Sequence, residues 1–281
     1  MIQTICVCGA GTMGSGIAQV CAQAGFHTLL YDVNNTTLTN AKTTIEKNVL
    51  LLEEKGKISS LEKENVLNYL HYKSELSDCI GDLIIEAIAE NVDIKTALFN
   101  QLAELNHSET IFATNTSSLS VSAIAAGIKH PSRVVGMHFF NPAPHMKLVE
   151  VVKGDKTKDA VVNTIVDLVK ELAKTPVYCK DAPGFIVNHV ARPYYLEALK
   201  LFEMGVADFE TIDLLLEATG FKMGPFKLMD LIGNDINYAV SCSVYEQLGK
   251  PARLIPSKIQ EEKVLKGELG KKTGKGYYVY S

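Results

Sequence analysis

The segment Ile5-Cys6-Val7-Cys8-Gly9-Ala10-Gly11-Thr12-Met13-Gly14-Ser15-Gly16-Ile17 joins an apolar run to a stretch of small and apolar residues at helical spacing. The run over 2–8 predicts a strand, 12–25 predicts a helix ending at Gly25, and His27 to Tyr31 predicts a second strand that ends at Asp32. Strand, glycine turn, helix, strand and acid in that order are the βαβ context that an isolated glycine pattern lacks.

Each glycine then has a physical task. Gly9 permits the tight turn, Gly11 lets the main chain approach a pyrophosphate, and Gly14 lets the helix pack closely on its strand. Ala10, Thr12 and Met13 complete the loop, whose free amides at the helix start face an anion. Asp32 can accept hydrogen bonds from an adenosine ribose and repels a 2′-phosphate, so the expected cofactor is NAD rather than NADP. A glycine-rich turn without a ligand is the competing reading, and the intact βαβ context weighs against it.

Composition narrows the classes. With 281 residues the chain has room for one large domain or two moderate ones, and a formal net charge of −4 gives no general attraction to nucleic acid or anionic membrane. The first apolar run is too short to span a bilayer and lacks the features of a signal peptide, so a cytoplasmic protein is expected. Its six cysteines have no C-x-x-C spacing and its histidines no H-E-x-x-H pairing, so neither a disulfide nor a metal site is expected. Cys6 and Cys8 point the same way from one strand at an awkward separation for a disulfide, and Cys21 and Cys242 lie in apolar segments that suggest core.

Residues 38–70 carry two helical patterns broken between Gly56 and Ser60, which predicts an inserted helical hairpin. Its lysines Lys42, Lys47, Lys55 and Lys57 suit either a phosphorylated ligand or an ordinary solvated face. Strand-like runs return at DLIIEAIAE, TIFATN, RVVGMHFF and KLVEVVKG, with the helical VDIKTALFNQLAEL between the first two. The alternation predicts an α/β fold: a Rossmann-like, doubly wound, largely parallel sheet with ligands at the carboxyl ends of its strands. Glu90-Asn91, Asn115 to Ser118, and His138 with Asn141 lie at such ends. After TPVYCKD the pattern turns helical, so the expected division is 1–182 for the Rossmann-like domain and 183–281 for a smaller all-helical one. Pro193 should kink or delimit the first helix of the second domain.

The segments ICVCGAGTMGSGIAQ, EAIAENVDIK, TNTSSLS, GMHFFNPAP, MKLVEVVKG, KDAPGFIVN, MGPFKLMDLIG and KTGKGYYVY, in this order, resemble the short-chain L-3-hydroxyacyl-CoA dehydrogenases, nearest the bacterial 3-hydroxybutyryl-CoA dehydrogenases. HFFNP with PGFIVN is more specific than the glycine motif. His145 and Asn234 depart from the family's commoner NPAPVMKL and LIGLD, which bears on fine substrate preference.

Residue types alone support proton transfer. An imidazole is suited to take a hydroxyl proton near neutral pH, and Glu150, a carboxylate within an apolar strand, needs a partner to offset its desolvation. The resemblance implies that His138 is the general acid and base and that Glu150 holds it. A satisfied core histidine and an exposed acid are the structural alternatives.

The resemblance also implies Ser117 and Asn188 against the substrate, although Ser117, Ser118 and Ser120 equally suit a cap for the helix near Val121, and Asn188 a polar helix face. It adds Glu90, Lys95, Asn115, Ser117, Asn141 and Lys272 to the cofactor set, while Asn141 also reads as a turn former before Pro142. It implies Asn48 and Lys55 near the CoA portion of an acyl-CoA substrate, and a homodimer through the helical domain. The expected reaction is interconversion of (S)-3-hydroxybutyryl-CoA and acetoacetyl-CoA, in fatty-acid breakdown or in fermentative reduction toward butyrate. A same-fold dehydrogenase of a free hydroxy acid or sugar acid, and a non-catalytic NAD-binding protein, are the alternatives.

Overall fold

A computed structural model describes residues 2–280. Thr4–Cys8 (β1) leads through the glycine turn into Thr12–Gln23 (α1), and His27–Tyr31 (β2) returns parallel to β1 with Thr4 opposite His27. Asn35–Glu54 (α2) and Ser60–Asn68 (α3) follow as the expected hairpin, and Leu70–Lys73 (β3) closes that edge. Asn34 caps α2, and Ser59 with Glu62 forms a reciprocal capping box on α3, which fixes where each arm begins.

Leu83–Glu86 (β4), Val92–Leu105 (α4), Ile111–Thr114 (β5), Val121–Ala126 (α5) and Val134–Phe139 (β6) continue the alternation. Leu148–Lys153 (β7), Asp159–Glu171 (α6) and Thr175–Lys180 (β8) complete it. The eight strands run in the order β3-β2-β1-β4-β5-β6-β7-β8, parallel except where β7 pairs antiparallel with β6. β4, β5 and β6 are buried at every position, which is why they read as unbroken apolar runs rather than alternating ones. β3 escapes the sequence reading because only Leu70 of its four residues is buried, as befits an edge strand.

The chain divides into two compact units, Met1–Asp181 and Ala182–Ser281. In the second, Val187–Glu203 (α7), Phe209–Ala218 (α8), Pro225–Ile232 (α9), Asn234–Gln247 (α10) and Lys258–Leu265 (α11) surround a core of Tyr195, Leu196, Leu199, Ile212, Phe226, Met229 and Tyr277. Of the two outcomes expected for Pro193, it does not delimit α7: the helix runs through it, since proline deletes one backbone donor while the apolar face of Tyr195, Leu196 and Leu199 stays packed.

Two buried carboxylates organise this unit. Asp213 accepts from the amides of Phe226 and Lys227 and from the Tyr278 hydroxyl, which fixes the start of α9. Asp230 accepts from the amides of Tyr277 and Tyr278 and from the Tyr280 hydroxyl, which ties down the C-terminal segment. Such donors offset the desolvation of a buried acid. Among the described residues no helix is long and apolar enough to cross a membrane.

Candidate active site

The first turn of α1 carries no side-chain cap, so its amides face outward for an anion. Space decides the rest. Gly9 has φ +101°, and a Cβ there would lie 2.6 Å from the Ala87 carbonyl oxygen; at Gly14 it would lie 1.7 Å from that of Gly9. At Gly11 a Cβ meets nothing within 4 Å, so the loop presents its backbone to open space. Asp32 follows β2 and accepts from the Ala10 amide at 2.8 Å through Oδ2 and from the Asn34 amide at 2.9 Å through Oδ1. Uncapped amides, an open glycine face and an anchored carboxylate at the strand end fit a dinucleotide with an unmodified ribose.

At the ends of β4 and β5 a charged network is assembled. Lys95, on α4, is 1% exposed and places Nζ 2.5 Å from Glu86 Oε1 and 3.2 Å from Glu90 Oε2. Glu86 Oε2 accepts from the Thr114 hydroxyl at 2.8 Å, and burial still holds this carboxyl above its usual range despite the opposing Lys95 charge. Glu90 Oε1 accepts from the Thr116 hydroxyl and, at 3.1 Å, from the Ser117 amide. Asn115 accepts from the Phe139 amide at 2.9 Å, tying the end of β5 to that of β6. Ser120 is the residue that caps α5, so Ser117 is not consumed by that task.

His138 and Glu150 are direct cross-strand partners of the antiparallel β6–β7 pair, and their side chains meet with Nδ1 2.7 Å from Oε2. They are 5% and 0% exposed. An ionised carboxylate only accepts, so with Glu150 ionised it is Nδ1 that donates in this contact. A buried pair of this kind can hold an imidazole in one orientation and stabilise its charged form.

Beside the glycine loop a cavity of about 480 Å³ is lined by Gly11 and Thr12 of the loop and α1, Thr44 and Asn48 of α2, and Asn141 and His145. Asn48 donates to Gln19 Oε1 at 3.2 Å, which sets its amide at the cavity wall. The Asn141–Pro142 bond is cis. Lys174 Nζ donates to the carbonyls of Ala143 and Met146, both at 2.7 Å, which holds the loop carrying His145. Lys55 ends α2, exposed and outside the cavity lining. In the second unit Asn188 lies half-buried in the first turn of α7, and Lys272 pairs with Asp235 at 2.6 Å.

Residues 4–182 match the family described as 3-hydroxyacyl-CoA dehydrogenase, NAD binding domain, and residues 184–280 match its C-terminal domain. The chain belongs to the 3-hydroxyacyl-CoA dehydrogenase family. It is 48% identical over 279 residues to the 3-hydroxyadipyl-CoA dehydrogenase of Escherichia coli (strain K12), covering 99% of this chain and 59% of that protein. It is 40% identical over 276 residues to a probable 3-hydroxybutyryl-CoA dehydrogenase of Deinococcus radiodurans, covering 98% of this chain and 99% of the relative. The crystal structure of (S)-3-hydroxybutyryl-CoA dehydrogenase from Ralstonia eutropha superposes with a TM-score of 0.94 at 35% identity, covering both chains fully.

The sequence reading missed two polar residues of the charged network, Glu86 and Thr114. Glu86 and Thr114 escaped because each ends an apolar strand and looks like part of it, whereas Thr116 was named only as part of the polar cluster from Asn115 to Ser118, with no partner assigned. A signal was available for Glu86, since a carboxylate ending LIIE needs a buried cation and Lys95 stands on the helix that follows. Cys79, distant in sequence from Cys6 and Cys8, joins them with all three sulfurs within 4.8 Å of one another, and all six cysteines are free thiols. Cys242 is half-buried rather than core, whereas burial pushes the Cys21 thiol up to about 12.

Proposed function

We propose that this chain is an NAD-dependent dehydrogenase that reversibly oxidises (S)-3-hydroxybutyryl-CoA, or a similar short 3-hydroxyacyl-CoA, to the 3-ketoacyl thioester. The observation that carries this reading is the His138–Glu150 pair set at the end of the same sheet that forms the glycine cradle. Bound NAD supplies the hydride acceptor. His138 takes the C3 hydroxyl proton at Nε2 in oxidation and returns it in reduction, while Glu150 fixes the ring through Nδ1 and offsets its positive charge. Ser117 and Asn188 bind or polarise the reacting end of the substrate, and Asn48 and Lys55 receive the CoA portion. Gly9 to Gly14, Asp32, Glu90, Lys95, Asn115, Asn141 and Lys272 make up the cofactor set.

Purified protein should oxidise NADH when given acetoacetyl-CoA. Folded, NADH-binding protein with no turnover on this thioester would reject the reading. A competing reading, oxidation of a free hydroxy acid, predicts good rates on the acid and poor ones on its thioester. The exposed Leu214, Leu215, Leu231 and Met204 support a homodimer through residues 183–281.

Asp32 gives a separate prediction. In Asp32→Ala the ribose loses its acceptor and the 2′-phosphate its repulsion, so the ratio of kcat/KM for NAD over NADP should fall by about tenfold or more, the scale of one charge-assisted hydrogen bond. Steady-state kinetics with both cofactors check this, and an unchanged ratio would remove Asp32 from cofactor discrimination.

A further inference from the structure

Cys6 and Cys8 stand two apart on β1, both buried, with their sulfurs 3.9 Å from one another. Strand alternation explains this pair, because residues i and i+2 share a face. Cys79, also buried, brings a third sulfur from the connection between β3 and β4, and all three sulfurs lie within 4.8 Å of one another. That connection is a thin cover. Ser74, Glu75, Ser77, Asp78 and Ile80 are exposed, and Cys79 is the residue among them that turns inward. The turn is held by its own members, the Asp78 amide donating to the Glu75 carbonyl at 3.1 Å and the Cys79 amide to the Leu76 carbonyl at 3.0 Å, with the Cys79 Sγ 3.9 Å from the Glu75 carbonyl oxygen. Asn106 Nδ2 anchors it through the Cys79 carbonyl at 2.8 Å. A short solvated segment of this kind opens locally at a small fraction of the cost of unfolding, so a small solute reaches the sulfurs while the sheet stays intact.

One atom fits among three sulfurs so placed. A centre bound at the zinc–thiolate length of about 2.3 Å keeps its sulfurs about 4 Å apart, which the Cys6–Cys8 separation already meets and an inward movement of Cys79 completes. Cys79 ionises first, since hydrogen bonds from Cys6 and Cys8 hold its thiol below the ordinary range, while sulfur hydrogen bonds within the cluster hold those two well above it. Charge and ligand number then select the atom. Thiolates rather than thiols ligate, so three of them bring three negative charges into a place without solvent, and Lys73, the cation near Cys79, is already paired with Asp78 at 3.5 Å. A monovalent or divalent ion would leave net charge buried, which is costly. Zinc also completes its shell with a fourth ligand, and among the described residues no histidine, acid or further cysteine joins the three. We propose that Cys6, Cys8 and Cys79 form a binding site for trivalent arsenic, taken up as neutral arsenous acid. Three S–H and three As–O bonds break, three As–S bonds form, three waters leave, and arsenic stays trivalent. The product carries no charge.

The test adds arsenite to the intact protein, kept reduced with a phosphine so that no other thiol competes. Native mass spectrometry should show one arsenic per chain, gained with the loss of three hydrogens and with no hydroxyl retained. Arsenic X-ray absorption of the same sample should show a first shell of three sulfurs and no oxygen. Both readings use the wild type alone, which matters if a cysteine variant fails to fold. In Cys79→Ser the three-sulfur adduct should be lost, and with it the rise in Tm that arsenite gives the wild type by binding the folded state. Cys242→Ser, which alters a half-buried cysteine outside the cluster, should keep both. No uptake by the wild type, an oxygen in the first shell of arsenic, or a three-sulfur adduct that persists in Cys79→Ser overturns the proposal. Tighter uptake of Zn(II) than of arsenite by the wild type also overturns it, since net charge would then not select the bound atom.

Discussion

In His138→Gln, turnover of acetoacetyl-CoA should fall by about two to four powers of ten, the range that a positioned acid or base contributes. Glutamine keeps a hydrogen-bonding group of similar reach toward Glu150 but cannot act as the proton donor and acceptor proposed for His138. The glycine cradle and Asp32 lie on other strands, so NADH affinity measured by fluorescence should stay close to the wild-type value. Near-normal turnover would remove His138 from the chemistry. A parallel loss of NADH binding would instead mean that the substitution had disturbed the sheet, because β6 is buried along its whole length.

The second large effect is on stability. Lys95 and Glu86 form a pair that is 1% and 0% exposed, and removing the lysine leaves a carboxylate in the core with the Thr114 hydroxyl and the Ile88 amide as its donors. Lys95→Met should therefore destabilise the fold by about 3–5 kcal/mol near neutral pH, the scale for breaking a buried pair from one side. Its pH dependence has a definite sign. Burial already holds the Glu86 carboxyl above its usual range with Lys95 present, and losing Lys95 raises it further. A group whose folded pKa exceeds its unfolded one stabilises the fold below the unfolded value, and that stability is lost as pH rises through the folded pKa. The penalty of Lys95→Met should thus be full above the raised pKa of Glu86 and shrink as pH falls below it. Urea unfolding of wild type and variant at several pH values measures the difference, and a penalty that grows toward acid would contradict a buried ionised Glu86.

Much of the fold was legible because local rules act on consecutive residues. The glycine turn, the α2–α3 hairpin and the change of character after Lys180 each leave a pattern of spacing or of breakers in a few adjacent positions. β3 left none, since an edge strand with one buried residue has no apolar signature. Pro193 suggested a possible helix end that does not occur, because its local preference to stop a helix was outweighed by packing of the helix around it. His138 and Glu150 could be named as candidates because their types suit proton transfer and the family resemblance implies the pair, whereas Glu86 and Thr114 could not be named. Their significance lies in which side chain stands opposite them, and Thr114 is 28 residues from the carboxylate it serves.

By itself the sequence determined the order of strands and helices apart from β3, and the dinucleotide cradle with its acidic partner, because each depends on backbone conformation or side-chain chemistry at neighbouring positions; His138 and Glu150 entered as candidates for proton transfer through the family resemblance. Only the tertiary structure decided that His138 faces Glu150 across an antiparallel pair, that Lys95 is buried between two carboxylates, and that Cys79 joins Cys6 and Cys8. Those facts concern distances between residues far apart in the chain, and the desolvation that gives such contacts their energy exists only once the chain has closed around them.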